Sequence, residues 1–152
     1  MAPLSILITG CSSGIGYHAA HALKSRGWRV FASCRKPDDV TRLRDEGLDS
    51  FPLDYTDSAT IRSALDATLE ATGGTLDAIF NNGAIALPGA NEDLPRDGLA
   101  HVFDTNLLGP HELTRMAIPV MRRQGHGRII NFRSGPGRSA VEIGICRLQI
   151  RA

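Results

Sequence analysis

The stretch LITGCSSGIG, residues 7–16, decides the fold, because it joins an apolar run to a glycine-rich segment. The run LSILITG, residues 4–10, is typical of a buried parallel strand. Apolar residues then recur at helical spacing up to Gly27, which indicates a helix. Glycine lets a backbone turn sharply and approach a ligand closely. Free N–H groups at a helix start attract anions. The segment therefore predicts a pyrophosphate-binding loop.

Two alternatives concern the same loop. A P-loop would end in Gly-Lys-Ser/Thr, whereas here Tyr17 follows the last glycine, so we reject that interpretation. A glycine turn that serves packing alone stays open as the other alternative. The strand-to-helix context favours the phosphate-binding interpretation.

Strand and helix patterns alternate along most of the chain. The predicted strands cover residues 4–10, 28–34, 50–54, 76–84 and 127–132, of which 76–84 is a strand that runs into a loop. A long helical pattern covers residues 96–123. Such alternation indicates an α/β fold with a doubly wound parallel sheet of order 3-2-1-4-5 in three αβα layers. Residues 1–132 form the predicted nucleotide-binding domain, and residues 133–152 form an atypical tail.

Composition narrows the function. The chain has 17 basic and 16 acidic residues among 152, a balance that argues against nucleic-acid or membrane-surface partners. Three cysteines without zinc-ligand spacing favour reduced thiols and no metal site. Apolar runs stay well short of a membrane span and the start lacks a basic leader, so we expect a cytoplasmic protein.

The motifs TGCSSGIG, LDYTD and FNNGA follow one another in order along the chain. They resemble the dinucleotide loop, the adenine-binding segment and, with Gly and Ala exchanged, the Asn-Asn-Ala-Gly loop of the short-chain dehydrogenase/reductase family. This Rossmann-like family includes steroid and retinol dehydrogenases. The resemblance, together with the basic residues that follow the second strand, suggests a set of cofactor-binding residues. They are Gly10, Ser12, Ser13, Gly14, Ile15, Gly16, Arg35, Asp54, Asn82 and Gly83.

The same resemblance implies two residues of the active site. DTNLLG resembles the helix with the family's asparagine, here Asn106, and GRIINFRS resembles the strand with the catalytic serine, here Ser134. Pro110 adds a point that stands without the family, because it has no N–H to bond the Asn106 carbonyl. We expect the helix to kink there, either as a plain proline kink or to free that carbonyl for a water.

The cofactor predicted by the sequence is NADP, with NAD as the less favoured choice. An acidic residue after the second strand would bind the ribose hydroxyls of NAD, but Cys34, Arg35 and Lys36 stand there. A guanidinium binds phosphate in bidentate fashion and stacks on adenine. The alternative is a solvated basic pair on a surface turn.

The family's Tyr-x-x-x-Lys pair has no counterpart in this sequence. The tyrosine would fall near residue 147, where the sequence reads RLQIR, and the tyrosines present are Tyr17 and Tyr55. Arginine cannot replace it, because a guanidinium does not release its proton at neutral pH. We therefore expect NADP-dependent hydride-transfer chemistry from the resemblance, but no turnover by this chain alone. A non-catalytic NADP-binding module and a non-functional fragment are the alternatives.

The tail, residues 133–152, does not resemble the family in detail, and we hypothesise a frameshift or premature end in the gene. An incomplete sheet would leave the fifth strand as an open edge with unpaired backbone groups. Residues 140–146 alternate weakly and are expected to fold back over that edge. The family commonly associates through the helix near residues 96–123, which suggests a homo- or hetero-oligomer.

Overall fold

The structure is a computed structural model that describes residues 3–133 and 142–146. Among them are six strands and five α-helices, together with a 3₁₀ turn (Asn91–Asp93) and a π-helical segment (Asp104–Leu108). The strands are β1 (Ser5–Ile8), β2 (Arg29–Cys34), β3 (Asp49–Pro52), β4 (Ala78–Asn81), β5 (Arg128–Arg133) and β6 (Glu142–Cys146). The helices are α1 (Gly14–Ser25), α2 (Pro37–Asp45), α3 (Ser58–Ala71), α4 (Arg96–Phe103) and α5 (Gly109–Gln124).

The sheet has the order β3-β2-β1-β4-β5-β6. Strands β1 to β5 are parallel, which confirms the predicted 3-2-1-4-5 order. The register pairs Ile8 with Ala32 on one side and with Phe80 on the other. The carboxyl ends of the central strands therefore meet at one edge of the sheet, where open α/β sheets bind their ligands.

Helices cover both faces of the sheet and complete the three layers. Leu7 faces a buried cluster with Leu65 of α3 and Leu113 of α5. The neighbouring Ile8 faces a second cluster with Ala20 of α1 and Leu43 of α2. Alternate strand residues thus supply two cores, as the pleat of a strand requires.

Strand β4 lies within the range 76–84 that is predicted as a strand running into a loop, and side chains take over the backbone bonds at both of its ends. The Gln124 side chain pairs with the Leu76 backbone, accepting from its N–H at 3.1 Å and donating to its carbonyl at 2.7 Å. At the other end the Asn82 N–H donates to the Thr9 hydroxyl at 3.0 Å. The ladder therefore stops where these side chains satisfy the backbone.

The helical pattern 96–123 is interrupted by the π segment, as the proline argument predicts. The N–H of Gly109 bonds to the carbonyl of Asp104, five residues back. Pro110 has no N–H to offer to Asn106, so a regular α-helical ladder cannot continue through this point. Asn106 lies within the widened turn.

Strand β6 pairs antiparallel with β5, from Ile129 opposite Cys146 to Arg133 opposite Glu142. This confirms the prediction that the stretch returns to cover the edge of β5. Ser134 and the remaining tail residues lie outside the described ranges. None of the described helices has the length and apolar character needed to cross a membrane.

Candidate functional site

A cleft of about 300 Å³ opens at the carboxyl edge of the parallel strands. It brings together seven residues that the sequence predicts for cofactor binding, namely Gly10, Ser12, Ser13, Arg35, Asp54, Asn82 and Gly83. It is completed by Thr9, Cys34, Leu53, Tyr55, Ala84, Ile85 and Thr105. The loops after β1, β2, β3 and β4 therefore converge as the sheet order predicts.

Glycine is required in the loop after β1 for two physical reasons. Gly10 has φ +68°, a backbone conformation that side chains disfavour, and a Cβ there would lie 2.7 Å from the Cα of Gly83. A Cβ on Gly16 would lie 2.5 Å from the side-chain nitrogen Nδ2 of Asn82. The two loops thus touch backbone to backbone, and Gly16 lies behind the cleft rather than in its lining.

The N-terminus of α1 faces the cleft without a cap of its own. Ser13 makes no capping hydrogen bond, and the first turn of α1 contains no acidic residue. By contrast, α3 is capped by the Asp57 side chain, and α2 has Asp38 and Asp39 in its first turn. The free N–H groups and positive dipole end of α1 are therefore suited to an anion.

Thr9 joins the loops after β1 and β4. Its hydroxyl accepts hydrogen bonds from the N–H groups of Asn82 and Gly83, each at 3.0 Å. The Asn82 side chain returns two bonds, donating to the carbonyls of Thr9 at 3.0 Å and Gly10 at 3.1 Å. The main chain beneath the cleft is thereby fixed before any ligand arrives.

Tyr55 is a site-forming residue that sequence reasoning missed. Its hydroxyl lies 2.8 Å from the Thr9 hydroxyl and donates to the Asn81 side chain at 2.8 Å. Asn81 in turn donates to Asn131 at 2.9 Å, so the chain of bonds crosses from β1 to β5. Burial raises the pKa of Tyr55. Its phenol is therefore protonated at neutral pH and engaged in supporting the loops.

Cys34 and Arg35, at the end of β2, differ in exposure and in charge. Arg35 is exposed, lines the cleft and forms no ion pair within residues 3–133. Cys34 beside it is buried, and that burial, followed by the nearby Asp39 charge, raises the pKa of its thiol to about 11. The thiol is therefore uncharged at neutral pH, and Arg35 brings positive charge to this wall.

Arg42 of α2 is a second residue that the sequence analysis missed. Its guanidinium donates to the Ser12 carbonyl at 2.7 Å and pairs with Asp39 at 3.1 Å and Glu46 at 3.2 Å. Glu46 also bonds the ring of His21 at 2.8 Å. The ring of His21 on α1 therefore contacts α2 through Glu46.

Asp54 is held in one orientation at the cleft. Its carboxylate accepts from the Thr56 N–H at 2.9 Å and the Thr56 hydroxyl at 2.8 Å, both on the same oxygen. Its own N–H donates to the Thr60 hydroxyl at 2.9 Å. The turn after β3 thus fixes the direction of the carboxylate.

Asn106 does not line the cleft but braces it. Its side chain accepts from the Ile85 N–H at 2.9 Å and donates to the Ile85 carbonyl at 2.8 Å, as a strand neighbour would. Gly14 and Ile15, at the start of α1, also lie outside the lining, and Ser134 lies outside the described residues.

Within the residues that the structure describes, no group of three or more side chains is arranged to hold a metal ion.

Comparison with known proteins identifies the family. The model of the short chain dehydrogenase family matches residues 5–146, nearly the whole chain. The chain belongs to the short-chain dehydrogenase family. Solved structures agree: a short-chain dehydrogenase from Streptomyces avermitilis is 30% identical, with a TM-score of 0.79 over 88% of this chain and 50% of that one.

Curated relatives carry oxidoreductase names. An Escherichia coli protein called uncharacterized oxidoreductase YbbO is 38% identical over 90% of this chain and 53% of its own length. Mouse retinol dehydrogenase 16 is 37% identical over 88% of this chain and 43% of its own length. The chain therefore spans about half the length of the curated relatives that it matches.

Short-chain dehydrogenases bind a nicotinamide dinucleotide. The structure of 3-ketoacyl-(acyl-carrier-protein) reductase from Brucella melitensis, described as complexed with NADH, superposes with a TM-score of 0.80 over 86% of this chain and 57% of that one, at 25% identity. Here the uncapped α1 start and the close Gly10–Gly83 backbones form a cradle that suits such a group.

Proposed function

We propose that this chain is the cofactor-binding part of an NADP-dependent short-chain dehydrogenase/reductase. The observation that carries the proposal is the placement of Arg35, exposed in the cleft beside the uncapped start of α1. A guanidinium at this position suits the 2′-phosphate that distinguishes NADP from NAD.

The residues divide by the part of the dinucleotide they would hold. The loop and first turn of α1, comprising Gly10, Ser12, Ser13, Gly14, Ile15 and Gly16, would bind the pyrophosphate. Asp54 would meet the adenine, and Asn82 and Gly83 would border the adenosine ribose. The loop backbones support this division, because hydrogen bonds already hold them in place without a ligand.

The cofactor supplies or accepts the hydride when it is bound. By family resemblance, Ser134 would stabilise a developing oxyanion and Asn106 would hold a water of the proton relay. Neither tyrosine of the sequence is placed to serve as the family's proton donor. Tyr55 is committed to the buried Thr9–Asn81 network, and Tyr17 lies on α1. We therefore propose that the 152-residue chain binds cofactor without turning over substrate, which makes a non-catalytic NADP-binding module the second candidate.

Equilibrium titration with NADP⁺ and NAD⁺, followed by calorimetry, tests the cofactor assignment. We expect NADP⁺ to bind more tightly, and Arg35→Asp to remove that preference. Lys36→Asp is the matched control, because it makes the same charge change at the next position, which does not line the cleft. Equal effects of the two substitutions, or an unchanged preference in Arg35→Asp, would contradict the proposal.

A second experiment separates the two candidate functions. We expect no oxidation of NADPH by the purified chain with aldehyde or ketone substrates, despite saturable binding. Measured turnover would overturn the non-catalytic assignment, and a folded chain that binds no dinucleotide would indicate a non-functional fragment.

We also propose a cytoplasmic location and a small-molecule dinucleotide, rather than nucleic acid or a membrane, as the partner.

A further inference from the structure

Arg42 of α2 holds the main chain of the glycine-rich loop from behind. Its Nη2 donates to the Ser12 carbonyl at 2.7 Å. Ser12 and Ser13 line the cleft, whereas Arg42 lies outside the lining. The peptide between the two serines is trans, so the carbonyl of the first and the N–H of the second point in opposite directions. The bond from Arg42 therefore turns the Ser12 carbonyl away from the cleft and the Ser13 N–H toward it.

The guanidinium of Arg42 is itself fixed on two edges and one face. Oε1 of Glu46 accepts from its Nη1 at 3.2 Å, and Asp39 accepts from its Nη2 at 3.1 Å. The Tyr17 ring lies against its face, with 5.4 Å between the guanidinium carbon and the ring centroid. Because a guanidinium donates in a rigid planar fork, these contacts aim it at the Ser12 carbonyl before a ligand binds.

Glu46 also connects this arginine to α1. Its second oxygen, Oε2, lies 2.8 Å from Nε2 of His21. Partial burial opposes the charge of Glu46, but its contacts with His21, Tyr17 and Arg42 outweigh that effect and lower its pKa. Glu46 is therefore ionised at neutral pH, and it joins α1, which starts at the cleft, to the end of α2.

We propose that Glu46 is a positioning residue for the pyrophosphate of the bound dinucleotide, acting through Arg42 on the Ser13 N–H; this inference rests on the proposed function. A pyrophosphate is attracted by an N–H and repelled by a carbonyl oxygen, so the direction of this peptide matters for binding. A long arginine side chain loses rotamer freedom when it is ordered. Without Glu46, Arg42 and the loop must be ordered when the ligand arrives, which costs affinity.

The experiment measures the binding of NADP⁺ and NAD⁺ to the 152-residue chain by calorimetry. We expect Glu46→Ala to weaken both ligands by the same factor, about threefold to tenfold, because both carry the pyrophosphate. Glu46→Gln keeps an oxygen that can accept from Arg42, so it should bind both more tightly than Glu46→Ala does. Asp45→Ala is the matched control, because it removes an exposed carboxylate one position earlier and should leave both affinities unchanged.

A double-substitution cycle separates positioning from a merely structural role. In an Arg42→Gln background, Glu46→Ala should cause no further loss of affinity, because the residue through which it acts is already gone. General weakening of the fold would instead lower the melting temperature and add to the loss caused by Arg42→Gln. Additive losses of affinity in this cycle would therefore overturn the inference.

Two further results would also overturn it while leaving the proposed function intact. One is binding of both dinucleotides by Glu46→Ala as tightly as by the parent chain. The other is a loss confined to NADP⁺, which would place the contact at the 2′-phosphate. A parent chain that prefers NAD⁺ would overturn the NADP assignment alone, since the inference concerns the part that both dinucleotides share. A parent chain that binds neither would overturn both.

Discussion

At the scale of single residues, the cleft depends on hydroxyl and amide groups that lie behind its lining. Bonds join Thr9 to Asn82 and Gly83, Tyr55 to Asn81, and Asn81 to Asn131, and together they connect the ends of β1 and β3 with β4 and β5 through side chains. Because these groups are buried, each is costly to leave unpaired. The loops are therefore positioned by the same network that stabilises the sheet.

Removing the Tyr55 hydroxyl tests this network. Tyr55→Phe leaves the Asn81 oxygen without its donor in a buried place, and we expect the free energy of unfolding to fall by about 1–3 kcal/mol. Chemical denaturation at pH 7 measures the change. Tyr17→Phe, on the half-buried surface of α1, serves as the control, with an expected change within about 0.5 kcal/mol. Equal effects would contradict the role given to the network.

Arg42 acts on the glycine-rich loop from the neighbouring helix. Arg42→Gln releases the Ser12 carbonyl, so the loop must be ordered when ligand binds, and we expect NADP⁺ affinity to fall by about twofold to tenfold. The stability change should be small, because the ion pairs of Arg42 are partly exposed to solvent. Calorimetric titration provides the affinity. Arg44→Gln is the control on the same helix, since Arg44 contacts the Ser50 carbonyl instead, and a matching loss there would argue against the loop contact.

At the scale of elements, the segment from α4 to α5 has two unlike sides. Thr105 and Gly109 pack inward, while Phe103, Leu107 and Leu108 are 60%, 55% and 54% exposed. Contiguous exposed apolar side chains of this size commonly mark interaction surfaces. They support the sequence-based expectation of association through this helix.

We predict that the chain self-associates through this surface. Phe103→Asp should shift sedimentation toward the monomer, because it places a charge in the middle of the apolar side. Leu4→Asp, at an exposed position before β1, is the control and should not shift it. A parent chain that sediments as a monomer at high micromolar concentration would refute the prediction.

At the scale of the whole molecule, a polar cluster of Ser5, Asp77 and His126 lies at the amino ends of the parallel strands, opposite the cleft. Asp77 accepts from the Ser5 N–H at 2.7 Å and lies 2.9 Å from the His126 ring. Partial burial opposes the charge of Asp77, but the bonds from Ser5 and His126 outweigh it and lower its pKa. The bond to Asp77 raises the pKa of His126. The pair thereby ties β1 and β4 to the turn before β5.

The Asp77–His126 pair makes the stability of the fold depend on pH. The contribution of His126 is complete below its unfolded pKa, about 6.5, and is lost as pH rises through its raised folded pKa. The contribution of Asp77 is complete above about 3.9 and is lost as pH falls through its lowered folded pKa. The melting temperature should therefore decline from pH 6 to pH 9 in the parent chain. The decline should be smaller in His126→Gln but unchanged in His101→Gln, and parallel profiles for all three would disprove the assignment.

Most of the architecture could be predicted from the sequence, because it depends on local patterns. Alternating apolar runs predicted the sheet order, and Pro110 predicted the break near Asn106. Tyr55 and Arg42 escaped prediction, since their partners Thr9 and Ser12 lie 46 and 30 residues away along the chain. Pairing over such separations follows from the folded packing, which no local pattern encodes. The predicted roles of Ser134 and Arg35 stay predictions.

The contact between Gly10 and Gly83 divides the cleft into parts with different freedom to change. At its floor, a side chain at Gly10 would lie 2.7 Å from the Gly83 Cα and must push the two loops apart, whereas a Cβ at Gly83 would come only within 3.2 Å of the Tyr55 ring. Its rim, by contrast, consists of side chains such as Arg35 and Asp54. Ligand preference can therefore be retuned by single substitutions at the rim, while Gly10 accepts none. Libraries that aim to alter cofactor choice should vary these rim positions and keep Gly10 constant.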